Sequence, residues 1–240
     1  MFLNPALNAA LDRIAERASD VRRAYTPGAV PQFDDVATAR TSSDFTLDPL
    51  AVVAPDDTYF VTTDDRGHRT YTRNGSFSLQ AGRLVEATGH PVAGIRRAGG
   101  PLENLCVDRL DEALLRVRAA GVAADGTFYY QRETVDPRSG ARELQRVAVG
   151  RVALARFPAA TRLETADGTH RTAVPDVEPK MGLANEEGFG PLTPMRRERS
   201  RIDIDESLIR LREAYQAFDA LQAAEAAKGH LGKTAMDLLK

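Results

Sequence analysis

Both ends of this chain carry an apolar stripe at helical spacing, and the long stretch between them is patterned as strands. Near the N-terminus Leu3, Leu7, Leu11, Ile14, Ala18 and Val21 recur at intervals of three and four residues over positions 3–24. Asp12, Arg13, Glu16, Arg17, Asp20 and Arg22 take the remaining surface, and Thr26-Pro27-Gly28 ends the helix because proline cannot continue it. From Ser200 onward Ile204, Leu208, Leu211, Tyr215, Phe218, Leu221 and Ala224 form a second stripe. Its start is marked by capping residues, either Ser200 with Asp203 or Asp203 with Glu206. A helix of this length is marginal in water unless its apolar face is covered. The stripes pair with each other as an antiparallel coiled coil, pack on a common globular core, or bury their outer faces against neighbouring subunits.

Residues 45–160 read as a β-rich meander, with turn signals every 8 to 12 residues. Leu50–Val53 is a short apolar strand, and further strands are expected at 59–63, 69–73, 76–79 and 83–86. Asn74-Gly75 has the composition of a two-residue hairpin turn, because both positions of such a turn need positive φ. The pattern also predicts strands at 128–130 and 147–157, and a helical look over 111–120. Residues 158–197 are loop-rich and hold five of the 13 prolines. The fold class expected is α+β: N- and C-terminal helices pairing as a coiled coil, with a central mainly-β domain. The corresponding division is residues 1–35 plus 200–240 for the helical domain and 36–199 for the β domain.

Composition excludes several function classes. A formal charge of −2 on 240 residues gives no electrostatic footprint for nucleic acid. The single cysteine, Cys106, rules out an internal disulfide and is expected to be a small buried apolar residue. No apolar run approaches 18 residues, so no membrane insertion is expected, and the N-terminus lacks the cationic and apolar regions of a cleaved signal. Ala227–Thr234 imitates a phosphate loop but has Ala227 where glycine is needed, and it follows a helical pattern. The four histidines (68, 90, 170, 230) are scattered, and the pairs Asp56-Asp57 and Asp64-Asp65 read as solvated turn residues. Arg22-Arg23 and Arg196-Arg197 read as solvated or intersubunit basic pairs. No catalytic residue, cofactor or metal is expected, and the chain is not read as an enzyme.

Several motifs, in order along the chain, resemble those of the bacterial flagellar axial family, which contains the rod and hook proteins. Thr26-Pro27-Gly28 stands where that family ends its first helix. Pro49–Val53 and Asp57–Phe60 follow as in the family, and Tyr71-Thr72-Arg73-Asn74-Gly75-Ser76-Phe77 matches its best signature fully. Gly82–Val85, Gly89–Val92, Val149–Phe157, Glu198–Asp203 and Tyr215–Phe218 continue the likeness. There are departures: Ala18–Tyr25 replaces an Asn-rich run, Ala29 an aromatic, Thr58 a glycine and Arg201 an asparagine. The Asn-to-Arg change is expected to alter subunit packing.

The resemblance implies a structural subunit of the flagellar basal-body rod, proximal or distal. Such a subunit is exported to the periplasm by the flagellar type III apparatus without a cleaved signal. Its partners would be other rod and hook subunits and the export apparatus. The implied assembly interface is Leu3, Leu7, Leu11, Ile14, Val21, Ile204, Leu208, Leu211, Tyr215, Phe218 and Leu221. Its family motif is Thr26, Pro27, Gly28, Tyr71, Thr72, Arg73, Asn74, Gly75 and Phe77. The other reading is a non-polymerising rod-associated binding or regulatory paralogue with the same fold.

Overall fold

Strand alternation explains how the β region builds its core. In the computed structural model the described residues are 5–29, 42–107, 119–135, 142–158, 163–165, 170–173 and 177–237. Leu3 and most of the helical-looking stretch, residues 111–118, lie outside them, as does the expected domain boundary at 35/36. The chain forms two compact units, Met1–Tyr25 with Ile202–Lys240, and Thr26–Arg201.

The second unit is built on strand β11 (Arg142–Arg156). Successive side chains of a strand point to opposite faces. Val152 and Leu154 therefore enter the main core with Phe60, Phe77, Leu84, Leu105, Phe128 and Tyr130, while Ala153 and Ala155 join a second cluster with Val61 and Tyr71. Each large side chain taken fully out of water contributes about 1.5–3 kcal/mol, so the first cluster carries most of the stability.

Antiparallel neighbours surround β11. These are β3 (Thr58–Thr63), β7 (Ala93–Ile95), β10 (Thr127–Val135) and β14 (Lys180–Leu183). The sheet continues from β3 to β4 (Arg69–Thr72) and then β13 (His170–Ala173) and β12 (Leu163–Thr165). From β10 it continues to β9 (Ala119–Val122), and β8 (Leu102–Asn104) pairs with β7. Among the described residues three two-stranded ribbons accompany the sheet. They pair β1 (Ser43–Phe45) with β16 (Arg196–Glu198), β2 (Val52–Val53) with β15 (Thr193–Pro194), and β5 (Ser78–Gln80) with β6 (Arg83–Val85).

The expected Asn74-Gly75 hairpin is not formed. Neither residue has positive φ, and β4 pairs with β3 around the loop Asp64–His68. The tight turn lies instead at Ala81 (φ 48°) and Gly82 (φ 78°), which join β5 to β6 in register Gln80↔Arg83. Both central residues there adopt the left-handed region that a two-residue hairpin requires. Cys106 is half-buried where full burial was expected.

In the other unit, helices α1 (Pro5–Arg23) and α2 (Ile204–Asp237) pack against each other. On α2 the burial maxima fall at Ile204, Ser207, Leu211, Ala214, Phe218 and Leu221. On α1 the buried residues are Ala10, Ile14, Asp20 and Arg23, with Leu7 half-buried. The α2 series alternates steps of three and four residues, the spacing that keeps one narrow stripe on a helix facing a partner. Asp203 caps α2, its Oδ1 accepting the amides of Asp205 (2.9 Å) and Glu206 (3.2 Å). Asp20, assigned to the outer surface by the pattern, is buried because Arg23 donates to it at 2.7 Å. That bond also takes Arg23 out of the solvated or intersubunit role expected of the Arg22-Arg23 pair. The phosphate-loop imitation Ala227–Thr234 is helical throughout.

Candidate functional site

The Tyr71–Phe77 segment folds as a buried bend in which side chains replace the missing hairpin bonds. Thr72 Oγ1 accepts the Asn74 amide at 3.0 Å, and Asn74 Oδ1 accepts the Ser76 amide at 3.1 Å. These short polar side chains turn the backbone within the segment. The Val52 amide then donates to the Gly75 carbonyl at 3.0 Å. A Cβ on Gly75 would lie 1.9 Å from the Val52 oxygen, so only glycine allows this approach. Phe77 packs edge-on to Phe60 with ring centroids 5.0 Å apart, and Tyr71 meets Phe157 in the same way at 4.9 Å. Burial pushes the Tyr71 hydroxyl pKa up.

Arg73 is the chemical centre of the bend. Its side chain is 4% exposed and that of Glu198 is 0% exposed, 125 residues away in sequence. Arg73 Nε donates to Glu198 Oε1 and Oε2 at 2.9 and 3.0 Å, and Nη2 lies 2.8 Å from Oε2. Nη1 donates to the carbonyls of Thr58 (2.6 Å) and Pro55 (3.1 Å), and Nη2 to that of Ala54 (3.2 Å). A buried guanidinium is tolerated only with this degree of pairing. Arg201 adds a second cation, its Nη2 lying 3.3 Å from Glu198 Oε1 with a side chain 12% exposed.

The third motif closes the cluster. Gly28 has φ 67°, and a Cβ there would lie 2.7 Å from the Arg73 carbonyl carbon. Beyond it, the Arg201 amide donates to the Ala29 carbonyl at 2.8 Å. The incoming and outgoing segments of the β unit therefore run side by side. Antiparallel pairing of β1 with β16 extends the hold, as does Arg199, which binds Asp44 at 2.6 and 2.8 Å. Arg196 and Arg197, read from the sequence as a solvated or intersubunit basic pair, stand on this ribbon, Arg196 half-buried and Arg197 exposed. The arrangement holds the two ends of the β unit together.

The sequence-selected residues fall into two groups. Pro27 and Thr26 are half-buried beside Gly28, and Tyr71, Thr72, Arg73, Asn74, Gly75 and Phe77 are buried in the bend. Leu7, Val21, Ile204, Leu211, Phe218 and Leu221 are half-buried in the helical unit, with Ile14 buried. Leu11 (42% exposed), Leu208 (48%) and Tyr215 (50%) point away from the seam, where Ala10, Ser207 and Ala214 stand instead. Sequence reasoning missed the Arg73–Glu198 pair. The only signal for it was two charges lying within segments that otherwise match buried motifs.

Among the described residues no cluster of histidine, cysteine or carboxylate side chains is arranged to hold a metal ion. No described helix is long and apolar enough to cross a membrane. Residues 56–130, which include the Arg73 bend, match the family model described as flagellar hook protein FlgE/F/G D1 domain. Over this segment the chain is similar to the flagellar rod and hook proteins, a family of structural flagellar proteins. No curated protein matches the chain significantly.

Proposed function

We propose that the chain is a rod-type subunit of the flagellar basal body that assembles through its terminal helices. One observation carries this reading. Leu208 and Tyr215 are seven residues apart on α2, and each is about half exposed, adjacent to the seam that already faces α1. Leu11 is exposed on α1 in the same way. An apolar row at heptad spacing beside an occupied seam suits a further helix, so the pair is completed as a coiled coil by neighbouring subunits. The implied interface comprises the stripe residues of both helices, from Leu7 to Val21 and from Ile204 to Leu221. Association with other rod and hook subunits, type III export and a periplasmic position follow from the family reading.

The test is to place a tagged full-length chain in its native cells and isolate hook–basal bodies. Tag density in the rod segment by cryo-electron microscopy is the expected result. Particles that lack the tag while the chain stays in the soluble fraction would overturn the proposal. Leu208→Asp with Tyr215→Asp should remove the chain from the particles while leaving its β-sheet circular dichroism unchanged.

A further inference from the structure

Strand β11 is longer than its neighbours can pair. On one edge it meets β10 from Arg142 to Arg151. On the other edge β7 takes Arg151 and Val152, and β3 takes Leu154 to Arg156. Along residues 142–149 the edge away from β10 faces no strand and makes no backbone hydrogen bond among the described residues. The stretch is long enough for a strand of ordinary length. A Cβ on Gly150 would lie 3.0 Å from the Arg96 Cα, so the turn after β7 bounds the open edge at that end. β9 covers β10 only from Phe128 to Gln131, so the pairs Arg132↔Gln145 to Val135↔Arg142 extend past every other described strand. A two-stranded ribbon alone is marginal in water, and a row of unpaired backbone groups is a template for another strand.

The side chains along this edge differ between the two faces. One face carries Arg142, Leu144, Arg146 and Ala148, all exposed, with Leu144 at 60%. Arg142 is engaged by Glu133 at 3.2 Å. Arg146 lies over the Tyr129 ring, 3.5 Å from its centroid, and has no carboxylate partner among the described residues. The opposite face carries Glu143 and Gln145, and Gln145 accepts from Arg132 at 2.8 Å. The Leu144 face therefore alternates cation and apolar side chain along β11, and its one carboxylate, Glu133, is already taken.

We propose that the open edge of β11 receives an extended segment of a partner polypeptide, antiparallel to it. On the Leu144 face that segment alternates branched apolar side chains with carboxylates. Backbone hydrogen bonds to residues 142–149 supply the affinity. A carboxylate opposite Arg146 and an apolar side chain opposite Leu144 supply the selectivity. The contact lies wholly on the β unit, and it uses neither the helical seam nor the axial reading.

Fluorescence anisotropy on the full chain tests it, with the labelled peptide Val-Thr-Glu-Thr-Val-Thr-Glu as probe. Aligned antiparallel, its residues stand opposite positions 148 to 142. Saturable binding that weakens with salt is expected, and lysine in place of both glutamates should weaken it about 3- to 10-fold. Arg146→Glu, at an exposed position, should narrow that preference, and Leu144→Asp should weaken binding of both peptides. Circular dichroism should show both variants folded. Two versions of the probe, N-methylated at alternate residues, distinguish strand addition from adhesion. The version whose methyl groups face β11 should not bind, and the other should. Absence of saturable binding, equal behaviour of the methylated versions, or a charge preference untouched by Arg146→Glu overturns the proposal. Self-association of the chain that Leu144→Asp abolishes would assign the edge to a second copy and overturns it equally.

Discussion

Replacing Glu198 by glutamine removes one charge and almost no volume, so it isolates the electrostatic part of the clamp. In the native structure the carboxylate is fully shielded and neutralises Arg73, with Arg201 beside it. Glutamine can still accept a hydrogen bond, but it leaves the Arg73 cation buried against the neutral carbonyls of Ala54, Pro55 and Thr58. Removing one partner of a buried pair costs about 3–5 kcal/mol, and an isosteric change should fall near the lower figure. Against a total of roughly 5–15 kcal/mol this is a large fraction. For a unit spanning Thr26–Arg201, each kcal/mol shifts Tm by about 2–4 °C, so a drop near 10 °C is expected.

Urea unfolding followed by circular dichroism and tyrosine fluorescence measures the change, the chain having no tryptophan. A cycle with Arg73→Met, Glu198→Gln and the double variant Arg73→Met/Glu198→Gln should show coupling of about 2 kcal/mol or more. The double variant should not return fully to wild type, because the three carbonyls lose their donor. Trypsin should also cut faster at Arg199 and Arg201 in Glu198→Gln. A loss under about 1 kcal/mol, or additive single effects, would refute the view that this pair holds the outgoing segment.

Three further outcomes follow from the same geometry. Gly75→Ala forces a Cβ onto the Val52 carbonyl and should abolish soluble expression or cost more than about 3 kcal/mol, whereas Gly67→Ala, which meets open space at φ 86°, should cost only about 1 kcal/mol by thermal unfolding. Asp203→Ala removes the α2 cap and should lower helix stability by about 1 kcal/mol, read as earlier loss of the 222 nm signal on heating. The Arg199 guanidinium hydrogen-bonded to Asp44 holds that carboxyl below its ordinary 3.8. A depressed folded pKa means the ribbon's contribution is complete above the unfolded value and is lost as pH falls through the lower folded one. Carbon-13 titration should find Asp44 below 3.8, and Arg199→Gln should move it upward.

Asp57 and the Asp64–His68 loop show how local chemistry survives into the fold. Asp57 takes a left-handed conformation, and Asp64 accepts the amides of Arg66 and His68, as turn-forming carboxylates do. Desolvation acts to raise the Asp64 pKa, but those bonds and His68 bring it down overall. Asn74-Gly75 shows the limit of such reasoning. Its composition favours a hairpin, yet the close approach of Val52 and the burial of Arg73 impose a different bend. Local propensity there is worth about 1 kcal/mol, less than the buried ion pair and the packing of Phe77 on Phe60.

Sequence alone determined the helical ends, most strand positions and the likeness to flagellar axial proteins, because each depends on periodicity or on contiguous motifs. It could not choose which residues of each apolar stripe face inward. Leu208 and Tyr215 are more hydrophobic than Ser207 and Ala214, but only small side chains sit on the seam at those levels. Nor could it join Arg73 to Glu198 or place Gly28 on the Arg73 backbone. Those contacts span up to 125 residues and arise only when the whole β unit has closed, since a buried charge selects its partner by three-dimensional proximity and not by spacing along the chain.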